Sequence, residues 1–165
     1  MKTKRWTVVF LLDQLPPNQI VLLKRAENKK FAPGWYTGIG GKQEEGETIE
    51  QTAYRELKEE VGIGDIKLHE FARVIVNGNE KALHYFWGIY SGKQLPACTE
   101  GTLEFLSPSK VLTKQIIPTT KYMIKEWKKR EFATDQQWTM FIKRDEDENG
   151  FASDISIERI TDGLH

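Results

Sequence analysis

Between Gly41 and Ile63 the chain sets five residues, then Glu47, then seven residues, then the run Arg55-Glu56-Leu57-Lys58-Glu59-Glu60-Val61-Gly62-Ile63. Thr48, with Gln51 three positions on, has the form of a capping box, in which a hydroxyl accepts from orphan backbone N–H groups and an amide reaches back. Ile49, Ala53, Leu57 and Val61 recur every four residues as one apolar stripe, and Gly62 and Gly64 supply the permissive backbone that ends helices. The pattern predicts a helix over Thr48–Val61. At about 100° per residue, Glu59, Glu56 and Glu60 lie at about −60°, 0° and +40°, beside an apolar stripe from about +20° to +140°. Lys58, Gln51 and Tyr54 take the far side. Solvated acids belong opposite a core, and like charges at this spacing cost about 0.2–0.5 kcal/mol per pair. Carboxylates on the shoulder of a buried face therefore call for a cation. Magnesium suits them, because it prefers hard oxygen ligands and shares carboxylates with substrate phosphates. Arg55 is placed to orient Glu47 and the helix carboxylates by charge-assisted hydrogen bonds.

Ahead of the helix, Trp35-Tyr36-Thr37-Gly38-Ile39-Gly40-Gly41-Lys42 has the glycine density of a backbone that comes close to something. Taken with this loop, the Gly41–Ile63 pattern resembles the Nudix box, G-x5-E-x7-R-E-U-x-E-E-x-G-U with U aliphatic, and every specified position is filled. Nudix proteins typically cleave nucleoside diphosphates linked to another group, using a divalent cation. The resemblance implies that the Gly40 carbonyl, Glu56, Glu59 and Glu60 ligate Mg2+, with Mn2+ as a substitute, and that Glu47 and Arg55 stand behind them. It makes Lys42 a phosphate contact. It also implies one more acidic ligand, from a loop before a short apolar-aromatic strand. Glu100, ahead of Gly101-Thr102-Leu103-Glu104-Phe105-Leu106, fits that place, and Glu104 is its competitor.

Leu22-Leu23-Lys24-Arg25, Gly34 to Lys42 and Glu45-Gly46-Glu47-Thr48-Ile49-Glu50 look like the MutT-type branch, which hydrolyses oxidised-purine nucleoside triphosphates such as 8-oxo-dGTP. Two departures bear on the base. Thr37 stands where similar members carry a base-reading asparagine, and Ile116-Ile117-Pro118-Thr119-Thr120 stands where they carry a tryptophan and paired aspartates. One hydroxyl cannot make an amide's bidentate contact, so the phosphate chemistry carries over and the base preference stays open.

The reaction so implied is magnesium-dependent attack of water on a nucleoside triphosphate, releasing nucleoside monophosphate and pyrophosphate, with Glu56 or Glu100 as the base. Lys24, Arg25 and Lys42 are candidates to steady phosphates, and Thr37, Gly38 and Gly41 to line the substrate. Phe31, Tyr36 or Phe86 could stack a base or simply fill the core. Competing expectations are a Nudix hydrolase of dinucleoside polyphosphates or nucleotide sugars, and a module that senses a nucleotide without cleaving it. A third is a prenyl-diphosphate isomerase, to which Cys98 lends little support.

The 165 residues suit one domain over residues 1–165. Lysine plus arginine balances aspartate plus glutamate, 24 against 24, so no bulk field draws the chain to duplex nucleic acid or an anionic membrane. The longest apolar run, Val8 to Leu12, is too short to span a bilayer, and Asp13 argues against a signal peptide despite Lys2, Lys4 and Arg5. Cys98 is the only cysteine, which excludes an internal disulfide. A cytoplasmic monomer or homodimer acting on a small nucleotide is expected. Strands are predicted over Thr7–Leu12, Gln19–Arg25, Lys67–Val76, Lys81–Tyr90, Trp138–Lys143 and Ser153–Arg159, and a second helix between Pro118 and Glu131. The charged segment Arg144–Gly150 reads as a solvated hairpin tip without function. The order of elements looks like the Nudix α/β/α sandwich, an α/β fold with a mixed central sheet.

Overall fold

Strand β1 (Lys4–Leu12) alternates its side chains between two cores, and the rest of the molecule is arranged around that division. Phe10 and Leu12 enter one core with Phe71, Tyr85 and Trp127, while Val9 and Leu11 enter the other with Ala53, Leu57 and Phe86. Both faces are covered, which is why the strand reads as a continuous apolar run. The computed structural model describes residues 2–165.

Helix α1 (Ile49–Val61) covers one face; β2 (Ile20–Arg25), β4 (His69–Val76) and β5 (Lys81–Ile89) lie with β1 in the middle of the sheet, and the two-residue β3 (Tyr36–Thr37) lies at its edge. After β6 (Gly101–Leu106) come the short α2 (Pro108–Val111) and then α3 (Pro118–Lys129), which covers the other face. The chain closes with β7 (Trp138–Glu146) and β8 (Ala152–Asp162). The eight-stranded mixed sheet runs β3-β2-β1-β5-β4-β7-β8, with β6 also paired to β2. β1 and β5 are parallel with Trp6 opposite Leu83, and β4 and β7 are parallel with Val76 opposite Ile142. This is the expected α/β/α layering. α2 had no counterpart in the sequence reading.

α1 is specified locally. Thr48 caps it, accepting from the Gln51 N–H at 3.1 Å, while the Gln51 side chain accepts from the Thr48 N–H at 2.8 Å. Gly62 ends it in the left-handed conformation at φ 73°, where a side chain would be strained. The predicted stripe Ile49, Ala53, Leu57 and Val61 is buried as a set. α3 buries Met123, Ile124 and Trp127, and Trp127 stacks on Phe71 with centroids 4.0 Å apart.

One boundary moves with consequence. β7 continues three residues beyond Lys143, so Arg144 and Glu146 belong to a strand rather than to a solvated tip. No helix among the described residues is long and apolar enough to cross a membrane.

Candidate active site

The acids of α1 sit at graded depth. Glu60 is only 8% exposed, while the side chains of Glu56 and Glu59 are 15% and 60% exposed. That ranking follows their angular distance from the apolar stripe. Glu60 Oε2 accepts from the Gly40 N–H at 3.1 Å, and the backbone C=O of Glu60 accepts from the Thr99 N–H at 3.1 Å. Burial, and then the nearby charges of Glu56 and Glu100, push the Glu60 carboxyl up to about 8. Burial also raises Glu56, against the pull of Arg55.

The glycine loop is zipped to β1 by backbone: Val9 N–H donates to Ile39 C=O at 2.6 Å, and Thr7 N–H to Gly41 C=O at 2.9 Å. A Cβ on Gly40 would stand 2.0 Å from the Thr7 carbonyl oxygen, and one on Gly41 would stand 2.4 Å from Glu56 Oε1. At Gly40 only glycine permits this approach, whereas at Gly41 a side chain would push the Glu56 carboxylate aside.

Arg55 is the hub of the acidic cluster. Its Nε donates to Glu47 Oε2 at 3.0 Å and its Nη2 to Glu47 Oε1 at 2.8 Å. Nη1 donates to Glu56 at 2.9 Å and to Glu59 at 3.1 Å, and Nη2 also reaches the Lys42 carbonyl at 3.0 Å. The guanidinium hydrogen bonds hold the Glu47 carboxyl down at about 2. Among the described residues no three histidine, cysteine or acidic side chains converge as a ready-made metal cage. Arg55 lies between Glu56 and Glu59, and Lys29 ion-pairs with Glu100.

The two outer glutamates are separated cleanly. Glu100 lies in the loop whose Thr99 N–H docks on Glu60, and its charge is felt by Glu60. Glu104 points elsewhere, accepting from the Tyr36 hydroxyl at 2.8 Å. Burial, then that carboxylate, pushes the Tyr36 hydroxyl up to about 12.

A cleft of about 390 Å³ opens beside the cluster, lined by Arg25, Phe31, Thr37, Gly38, Gly40, Gly41 and Glu60. Arg25 Nε donates to the Phe31 carbonyl at 2.8 Å, and the guanidinium lies 5.2 Å from the Phe31 ring centroid. Lys24 does not line the cleft: one residue along a strand from Arg25, it points to the opposite face. Lys42 is not part of the lining either, and its ammonium lies 5.7 Å from the Trp6 ring centroid. Of the three aromatic candidates only Phe31 reaches the cleft. Tyr36 and Phe86 are core, 7% and 1% exposed.

Of the opposite wall, the sequence singles out only Thr119 and Thr120. Trp6, Lys81, Thr119, Thr120, Arg144 and Glu146 line it, with Asn149 and Gly150 from the β7–β8 turn. Phe151 clamps that turn down, 4.7 Å from Trp35 and 6.3 Å from Phe31 between centroids. The charged segment Arg144–Gly150 is therefore a wall of the cleft. The available signal was strand alternation, since Arg144 and Glu146 continue the face that Met140 and Ile142 bury.

A NUDIX domain family model matches residues 1–127. Over 75 residues the chain is 39% identical to the oxidized purine nucleoside triphosphate hydrolase of Mus musculus, covering 45% of each protein. Over 56 residues it is 43% identical to the NAD-capped RNA hydrolase NudC of Stutzerimonas stutzeri (strain A1501), covering 30% of this chain and 20% of that one. The matches thus span less than half the length of either relative. The fold is similar to the MutT protein from Bacillus halodurans, with TM-score 0.67 at 20% identity over 94% of this chain and 97% of that chain.

Proposed function

The chain belongs to the NUDIX family of hydrolases acting on phosphorus-containing anhydrides, and on that premise we propose that it hydrolyses nucleoside triphosphates to nucleoside monophosphate and pyrophosphate. Oxidised purine nucleotides such as 8-oxo-dGTP are the candidate substrates, supported by the match to the murine hydrolase. One observation carries the reading: Glu60, buried and bound to the Gly40 N–H, lines a nucleotide-sized cleft.

Family members generally use divalent ions such as Mg2+. The donor set fits one. Glu56, Glu59, Glu60 and the Gly40 carbonyl are hard oxygens, and a carboxylate as buried as Glu60 stays ionised only beside a cation. Glu100 would join them once Lys29 releases it. A bound Mg2+ supplies Lewis-acid stabilisation of charge on the bridging phosphate oxygens. The residues do the rest. Arg25, and Lys42 at the edge, steady phosphate oxygens, and Phe31 offers a ring to the base. Glu56 or Glu100 takes the proton of the attacking water. Burial makes Glu56 a stronger base than a solvated carboxylate. Arg55 and Glu47 keep the helix carboxylates in place. The balanced charge and the lone free cysteine suit a cytoplasmic enzyme.

The match to an NAD-capped RNA hydrolase supports a second reading, in which the leaving group is itself a nucleotide. Incubation with Mg2+ and a panel of dGTP, 8-oxo-dGTP, a dinucleoside polyphosphate and NAD, with products separated by ion exchange, decides between them. Pyrophosphate from a triphosphate is the expected product. Saturable binding of every compound without turnover would overturn the hydrolase reading in favour of a sensor.

A further inference from the structure

The far wall of the cleft carries two cations, Arg144 and Lys81, with one carboxylate, Glu146, between them. The Arg144 side chain is 8% exposed and lines the cleft. Its Nη1 donates to Thr119 Oγ1 at 2.7 Å, its Nη2 stands 3.8 Å from Glu146 Oε1, and its buried Nε has no partner. Glu146 is engaged elsewhere, in an ion pair with Lys81, whose ammonium also lies 5.3 Å from the Trp6 ring centroid. Two cations therefore share one carboxylate.

The hydrogen-bonding capacity left on Arg144, Thr119 and the first turn of α3 is of the donating kind. Thr119 sits in the first turn of α3, whose N-cap residue Ile117 provides no side-chain cap. First-turn N–H groups lack helical partners and carry the positive end of the helix dipole. Thr119 accepts from Arg144, so its own hydroxyl hydrogen is free to be given. A buried guanidinium short of acceptors is costly, and its planar fork matches the oxygens of a phosphate. A neutral base edge would satisfy the hydrogen bonds and leave the charge.

Resting on the nucleotide-hydrolase reading above, we infer that Arg144, with Thr119 and Lys81, forms a second phosphate subsite, which takes a phosphate monoester on the sugar of the bound nucleoside. The same cleft is lined by Glu60 and by Arg144, so one ligand can engage the anhydride-cleaving carboxylates and this subsite together.

The test is calorimetric titration of the whole chain, with Mg2+, by adenosine 5′-monophosphate, adenosine 3′,5′-bisphosphate and adenosine 2′,5′-bisphosphate. One bisphosphate should bind at least about tenfold tighter than the monophosphate, and that ratio should fall to about one in Arg144→Met. The arm that gains identifies the sugar hydroxyl. Equal affinity of all three in the wild type overturns the subsite and leaves the hydrolase reading standing. So does a preference for guanosine 5′-monophosphate, titrated beside the adenosine compounds, that Arg144→Met abolishes without any gain from a second phosphate. An advantage that survives in Arg144→Met overturns the assignment to this arginine. Absence of binding by all of these compounds overturns the subsite, and the hydrolase reading is then decided by the turnover panel above. Should Arg144→Met fail to fold, the wild-type ratio and its partial retention in Arg144→Lys decide the matter.

Discussion

Arg55 grips Glu47 with two nitrogens, Nε to Oε2 at 3.0 Å and Nη2 to Oε1 at 2.8 Å, while its third nitrogen holds Glu56 and Glu59. A lysine carries the charge but not the fork, so Arg55→Lys should lower activity about ten- to a hundredfold. The measurement is kcat/KM against Mg2+ concentration. The half-saturating Mg2+ should rise, and a variant saturating at the wild-type concentration would show that Arg55 does not position the ligands.

Glu59→Gln and Glu60→Gln each remove a charge while keeping an acceptor oxygen. Turnover should fall at least about a hundredfold with the melting temperature near wild type. Mn2+ titration followed by electron paramagnetic resonance checks the cause, since undiminished binding in both variants removes these residues from the ligand set.

Glu100 and Glu104 make opposed predictions. Glu100→Gln should reduce turnover about a hundredfold or more, because it withdraws a carboxylate whose charge Glu60 feels. Glu104→Gln should leave kcat within about twofold, since that side chain is bonded to Tyr36 on another face. Steady-state kinetics of the two variants side by side settles which acid serves the site.

Leu57 is fully buried against β1, and Leu57→Ala should cost about 2–5 kcal/mol of stability, read by urea unfolding. Unchanged stability with lost metal binding would mean that the apolar and acidic faces of the helix had been interchanged.

The Glu47 carboxyl is held at about 2, below its ordinary 4.5, by the Arg55 hydrogen bonds. A lowered native value means that the unfolded chain binds protons first as pH falls. The stabilisation is complete above about 4.5 and is lost as pH drops from there toward about 2. Between pH 6 and pH 3 the unfolding free energy of the wild type should fall more steeply than that of Glu47→Gln. Parallel slopes would contradict the pairing.

The acidic half of the site was legible because its rules are local. A period of four, a capping box and fixed spacing set the phase of α1, and the phase alone ranks Glu60 deeper than Glu56 and Glu59. Glycine at 40 and 41 was legible as close approach, though not what it approaches. The other wall was hidden by composition. Arg144 and Glu146 lie in the run Arg144-Asp145-Glu146-Asp147-Glu148, which reads as solvent-loving, and only pairing with β8 across the sheet turns alternate members inward. Lys24 misled in the opposite sense, while Arg25 does line the cleft. Two adjacent cations look like one phosphate grip, yet neighbours on a strand face apart. Phe86 sits in a run buried on both sides, where pattern cannot tell core from pocket.

Glu60 ties three stretches of chain, its carboxylate to Gly40 and its backbone to Thr99. The proposed hydrolytic centre consequently depends on partners distant along the polypeptide. A fragment ending short of Thr99 could coil its helix and display the box, but would own an unfinished centre. Turnover, on the proposed reading, would thereby double as a gauge of whether each molecule has reached its native form.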